Sequence, residues 1–145
     1  MSANGPPTRP ATPEDEAAVF AVDAIALAGD EGRTRYLRDA IEAGECIVYD
    51  RDGIVLGYTV LKRGHFYGRD FIDLVFVASD ARRQGIGRSL MRASCAAATT
   101  PRVFTSTNKS NAPMQALLLS EGWAPSGELV GLDEDDPELV YYRSR

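Results

Sequence analysis

The chain is poor in residues that carry metal and redox chemistry: its 145 residues include one histidine, His65, and two cysteines, Cys46 and Cys95. One histidine leaves no Cys/His cluster with metal-ligand spacing, so no metal is expected. Two cysteines far apart suit reduced, buried thiols better than a disulfide framework. Neither has a histidine partner in view, which disfavours covalent cysteine catalysis. No apolar run reaches the length of a membrane span, and Met1 to Pro7 has neither the basic start nor the apolar centre of a secretory leader. The expectation is a cytoplasmic protein with no membrane partner. Basic residues are the minority as well, 16 against 21 acidic, for a net charge of −5. That balance argues against broad nucleic-acid binding and favours a cationic partner.

What is present is ordinary globular composition, 44% apolar and 8% aromatic, at a length that suits one domain. Residues 1–7 read as a flexible leader and 8–145 as a single domain without repeats or linkers. Thr8-Arg9-Pro10-Ala11 fits a short edge strand. Thr12-Pro13-Glu14-Asp15-Glu16 opens a helix, with a Thr cap, a proline at the first helical position and acids in the first turn. This helix should run to about Leu27, where Gly29 and Gly32 break it, and a second helix should span Thr34 to about Glu42. Cys46 to Asp50 and Ile54 to Leu61 are rich in β-branched and aromatic residues and flank an Asp-Gly turn, a hairpin signature. After a turn over Gly64 to Gly68 come a strand, Asp70 to Ala78, and a helix to about Ala98. A strand over Arg102 to Thr107, a helix over Ala112 to Glu121 and two closing strands complete the chain. The order is β-α-α-β-β-β-α-β-α-β-β, an α/β mixed sheet with helices packed on it.

The most informative segment joins the Asp70–Ala78 strand to the next helix through Arg82-Arg83-Gln84-Gly85-Ile86-Gly87-Arg88-Ser89. Glycines at 85 and 87 let the backbone approach a ligand, and the first turn of the helix offers N–H groups without internal partners. An anion there meets donors and the positive end of the helix dipole, and Arg82, Arg83 and Arg88 add formal charge. The spacing is neither that of a P-loop nor that of a dinucleotide fingerprint; it is Arg-x-x-Gly-x-Gly.

Asp73 interrupts the apolar strand. Strict alternation puts it on one face with Phe71, Val75 and Val77, and puts Ile72, Leu74, Phe76 and Ala78 on the other. An unpaired charge in a central strand must reach water or a cation, or have its pKa raised, and a raised carboxylate is a useful base. A salt bridge to Arg69 or Lys62, or solvent at a cleft mouth, would account for it equally.

With these features and the element order, the chain resembles the GNAT superfamily of acyl-CoA-dependent N-acyltransferases. The specific part of the likeness is Val77 through Leu90, followed by Asn108-Lys109-Ser110-Asn111-Ala112-Pro113-Met114 and the Gly122-Trp123 pair. The resemblance implies a mostly antiparallel sheet with a splay between strands 4 and 5. It implies a diphosphate cradled by the amides of Arg83 to Ser89, main-chain pairing of Val75 and Val77 with the pantetheine arm of acetyl-CoA or another acyl-CoA, and a place for Asn111 beside that arm. Asn111 also suits a helix cap. Asp73 matches the family's strand carboxylate, which takes a proton from the amine acceptor, a small molecule or a peptide.

The chain departs from the family at Leu118, where many members have a Tyr that protonates the departing thiolate. Ser120, Tyr141 and Tyr142 are the alternatives, and spacing selects none of them. Two other functions fit the same sequence: transfer from an acyl carrier protein, and a non-catalytic CoA-binding sensor. The acidic run Asp133 to Asp136 could steer a cationic acceptor or simply be a solvated turn. His65 reads as an exposed hairpin residue. The oligomeric state stays open, a homodimer included.

Overall fold

The computed structural model describes residues 7–145. The proposed leader therefore falls, except for Pro7, outside the described residues. Pro7 itself is tied to the fold, its carbonyl accepting from the Asp50 amide at 2.7 Å.

Seven strands form one sheet in the order β1-β2-β3-β4-β5-β7-β6. They are β1 (Thr8–Pro10), β2 (Cys46–Arg51), β3 (Ile54–Phe66), β4 (Arg69–Val77), β5 (Arg102–Asn108), β6 (Ala124–Leu129) and β7 (Glu138–Ser144). Every pairing is antiparallel except β4 with β5. The helices are α1 (Glu16–Val22), α2 (Ala24–Leu27), α3 (Glu31–Glu42), α4 (Ile86–Ala97) and α5 (Ala112–Ser120). The mixed α/β sheet and its element order agree with the expectation from sequence.

Four local readings need correction. The helix expected to run from Thr12 to Leu27 is a short 3₁₀ turn followed by two helices, divided at Asp23. Fully buried, the Asp23 carboxylate caps α2 through the amides of Ile25 and Ala26 at 2.9 and 3.2 Å, and takes a salt bridge from Arg33 at 2.7 Å. Burial alone would raise its pKa, but the Tyr58 hydroxyl and Arg33 outweigh burial and lower it. Gly32 does not break a helix; α3 starts at Glu31 because Asp30 caps it through the Arg33 amide at 2.8 Å. β3 does not stop at Leu61 but runs on to Phe66, and the hairpin turn is the two residues Tyr67 and Gly68, with φ of 51° and 80°. Those positive angles make the mirror-image turn that suits strand twist.

The fourth correction concerns β4. Val60 pairs with Leu74 but Leu61 pairs with Ile72, so Asp73 is the extra residue of a β-bulge. Alternation is reset across it. Ile72 packs with α4 and α5, alongside Val75, whereas Leu74 and Phe76 pack against the cluster under α1 to α3. The carbonyls on both sides of the bulge are held by threonine hydroxyls: Thr105 Oγ1 donates to Ile72 at 2.9 Å and Thr59 Oγ1 to Leu74 at 2.8 Å.

One helix covers the other face of β2 to β4. A Cβ on Gly57 would come within 2.8 Å of the Phe76 carbonyl oxygen and 3.1 Å of both Ile86 and Leu90, so only glycine lets α4 lie this close to β3.

Candidate active site

β4 and β5 pair only from Asp70–Val103 to Ile72–Thr105. Beyond that point they part, and the β5-facing edge of β4 from Asp73 to Val77 has no strand partner among the described residues. A cleft of about 190 Å³ fills the gap, lined among others by Asp73, Val75, Thr107 and Met114. This is the splay expected between strands 4 and 5.

At the top of β4 the chain makes a short 3₁₀ turn, Ser79–Ala81, and enters the glycine loop. Arg83 (φ 65°) and Gly85 (φ 79°) are both left-handed, and Gly85 is the N-cap of α4 without any side-chain cap. The first amide satisfied inside the helix is that of Ser89, bonded to the Gly85 carbonyl at 3.0 Å. The amides of Ile86, Gly87 and Arg88 are thus free by helix geometry. A Cβ on Gly85 would meet nothing within 4 Å, and one on Gly87 only Val77 at 3.9 Å. The loop is open space bordered by donors, with Ile86 buried beneath it as an anchor.

The charges of the loop are only partly available. Arg88 pairs with Glu121 at 2.5 Å, and Arg92 joins the same carboxylate at 2.6 Å. Hydrogen bonds from Arg92 and then Arg88 hold Glu121 down to about 2. Gln84 is engaged by Arg51 at 2.8 Å. Arg82 and Arg83 are exposed and carry the remaining positive charge.

Asn111 caps α5, its Oδ1 accepting from the Met114 amide at 3.2 Å. Leu118 is fully buried between α4, α5 and the sheet. Of the alternatives to a family tyrosine, Tyr141 is buried in the same cluster. Tyr142 packs at a tilt against Phe104, 5.8 Å between centroids, and Ser120 donates to the Leu117 carbonyl at 2.8 Å. None of the three lines the splay cleft.

Asp73 is exposed, the solvent-facing one of the alternatives left open by the sequence, and it shares a cleft with Phe71 as alternation places it; the bulge shifts Leu74 and Phe76 instead. It pairs with neither Arg69 nor Lys62; Lys62 bridges Glu45 at 3.1 Å. The partner of Asp73 is Tyr36 of α3, whose hydroxyl donates to Oδ2. Burial first, then the Asp73 carboxylate, push the Tyr36 phenol above its ordinary range, so it stays a neutral donor. Together with Lys62, His65, Phe66 and Phe71 the two residues border a cleft of about 490 Å³. His65 belongs to β3, not to a turn.

Sequence reasoning missed Tyr36, and also a Ser106–Glu138 pair (2.9 Å) next to the splay. Tyr36 precedes the buried Leu37 on α3, and only its place at the edge of that apolar stripe marked it. Two members of the acidic run are structural: Asp136 accepts from the Ser110 amide at 2.9 Å and Asp133 from Asn108 at 2.9 Å. Both thiols are buried, and desolvation raises them, Cys46 to about 12.

A sheet parted beside a capless glycine loop sets a cleft next to free amide donors, and comparison with known proteins places this architecture in a family. The model of the acetyltransferase (GNAT) family matches residues 16–123, and the chain belongs to that family. It is similar to a GNAT-family acetyltransferase from Bacillus cereus, with 29% identity over 95% of this chain and 96% of that one and a TM-score of 0.88. It is also similar to a ribosomal-protein-alanine N-acetyltransferase from Brucella melitensis, with 26% identity over 95% and 99% and a TM-score of 0.77. A Salmonella typhimurium protein solved with its cofactor acetyl-CoA shares the fold, at 18% identity over 94% and 92% and a TM-score of 0.74. A comparison with curated proteins returns no match. No helix among the described residues is long and apolar enough to cross a membrane.

Proposed function

We propose that the protein moves an acetyl or related acyl group from CoA to a primary amine by direct attack. The observation that carries this is the parting of β4 from β5 beyond Ile72, which leaves one unpaired strand edge running from the glycine loop to Asp73. The residues present fit acyl-CoA. The amides of Arg83 to Arg88, around Gly85 and Gly87, would hold the diphosphate with help from Arg82 and Arg83, whereas the Ser89 amide expected to join them is already taken by the Gly85 carbonyl. The backbone of Val75 and Val77 would pair with the pantetheine arm, and Asn111 would sit beside it while capping α5. That a Salmonella typhimurium protein of the same fold was solved with acetyl-CoA supports an acyl-CoA as the ligand class.

Bound acetyl-CoA supplies a thioester whose carbonyl carbon takes the nitrogen lone pair and whose C–S bond gives way, CoA leaving as thiol. The chain supplies position and proton transfer. An amine arrives as ammonium, and Asp73 takes its first proton and passes it to water. The second proton lost by nitrogen ends on the departing sulfur, and a thiol with pKa near 8.5 leaves adequately without a dedicated acid. Tyr36 orients the carboxylate. The raised thiols of Cys46 and Cys95 favour direct attack over an acyl-cysteine route.

Pure protein incubated with acetyl-CoA and a panel of amines, polyamines and peptides should release free thiol with at least one acceptor. Tight acetyl-CoA binding with no release across the panel would instead make this a CoA-binding sensor. Gly87→Asp should weaken acetyl-CoA binding about tenfold or more by placing a carboxylate among the donors, and unchanged affinity would remove this loop from the site.

A further inference from the structure

Beyond Asp73 the open sheet face carries a row of rings across four strands. Phe66 of β3 meets Phe71 of β4 at 4.9 Å and Phe104 of β5 at 5.2 Å between centroids, and Phe104 meets Tyr142 of β7 at 5.8 Å. All four are half-buried and belong to none of the buried core clusters. Phe66 is shared by two hollows, the one that contains Asp73 and a second of about 270 Å³ bordered by Phe104, Arg69 and Arg102. The Asp73 cleft therefore continues over an aromatic floor.

The charge changes sign along this floor. Asp70 pairs with Val103 in parallel register, so Arg69 and Arg102 are the adjacent positions just outside that pair, and both are exposed. Neither has a carboxylate partner among the described residues. Arg69 donates to the Tyr67 carbonyl at 2.9 Å, and the Arg102 guanidinium lies 5.1 Å above the Tyr142 ring. Like charges on facing strand positions are unfavourable. An anion between two guanidiniums would turn that repulsion into charge-assisted hydrogen bonds.

We propose that this surface is the acceptor site and that the acceptor is an amine with an aromatic or apolar body and a distal carboxylate. The amine meets Asp73, the body lies on Phe66, Phe71 and Phe104, and the carboxylate sits between Arg69 and Arg102. Four residues of strand separate the two ends, about 13 Å at a rise of 3.3 Å per residue. That is the reach of a three- to four-residue extended peptide. A free amino acid, whose amine and carboxylate share one carbon, cannot span it, and a polyamine would bring a cation to the arginines. This inference rests on the amine-acylating function proposed above and narrows its acceptor.

The test compares Gly-Phe-Phe, its C-terminal carboxamide, Gly-Gly-Gly and spermidine as acceptors. The free acid should show a KM about tenfold below those of the carboxamide and of Gly-Gly-Gly, one guanidinium–carboxylate contact or one stacked ring being worth that much. Arg69→Ala and Arg102→Ala should each abolish the difference between acid and amide. Phe104→Ala should abolish the preference over Gly-Gly-Gly. Equal KM for acid and amide, or the lowest KM for spermidine, overturns the inference while leaving amine acylation intact. If acetyl-CoA binds but neither these acceptors nor the wider amine panel is acylated, the acylation reading falls on its own. Calorimetry with Gly-Phe-Phe then decides the site: binding that weakens about tenfold in Arg102→Ala upholds it, and no binding overturns it. The comparison of acid with amide needs no variant, so it stands even if a substitution disturbs folding.

Discussion

Asp70 and Asp73 stand three residues apart on β4, and their surroundings have almost nothing in common. Asp70 is fully buried where β4 is paired with β5 at Val103 and faces an irregular stretch of β3, and it accepts from the Gly64 amide at 2.9 Å, the Thr99 amide at 2.6 Å and the Thr99 hydroxyl at 3.0 Å. It locks the irregular stretch of β3 and the link between α4 and β5. Asp73 begins the segment where β4 has lost β5, and it has one side-chain donor and open solvent. The same side chain thus serves architecture in one place and keeps its lone pairs largely uncommitted in the other, as the proposed proton transfer requires. What separates the two roles is sheet pairing, which decides whether the carboxylate's lone pairs are already committed.

The sharpest way to break this comparison is to exchange the two effects. Asp70→Ala leaves two amide donors without an acceptor and should cost about 3 kcal/mol of stability by urea unfolding. A change below about 0.5 kcal/mol, the usual range for exposed sites, would show that Asp70 locks nothing. Asp73→Asn should leave unfolding unaltered and lower kcat/KM about a hundredfold at neutral pH, the usual scale for a general base. The deficit should shrink as pH rises and free amine becomes plentiful; a uniform deficit at all pH would point to positioning instead. Acid should cost the architectural carboxylates their stabilisation. Asp70 is lowered because the amides of Thr99 and Gly64 outweigh its burial, and Arg9 and Thr12 hold Asp15 at about 2. A depressed folded pKa contributes stability above the unfolded value and loses it on the way down. Unfolding free energy should therefore be level near neutrality and fall as pH drops from about 4 towards 2, where Asp15 and Glu121 protonate. The smallest effect should come from Tyr36→Phe: a loss of about fivefold in kcat, on the order of 1 kcal/mol, with acetyl-CoA affinity kept.

Much of this was legible in the chain. Element order followed from β-branched runs, caps and glycine pairs, and the glycine loop stood out because positive-φ positions and a helix start lie within one short segment. Asp73 was singled out correctly as an anomaly, but its environment was not readable. A bulge depends on which residue of β3 each residue of β4 opposes, and strict alternation inside one strand cannot reveal a partner's register. Tyr36 was hidden for the same reason, since a tyrosine at the edge of a helical stripe says nothing about the strand it will meet. The break at Asp23 was missed because its capping oxygens look like any acidic residue in an amphipathic helix until Arg33 and Tyr58 arrive from elsewhere.

Gly57 lies outside the glycine loop, yet it governs how firmly that loop is seated. The absence of one methyl group fixes the depth at which Ile86 and Leu90 settle, and through them the height of the amides above the strand. Alanine at this position would act as a shim, lifting the whole glycine loop away from the cleft while leaving every residue of the loop unchanged.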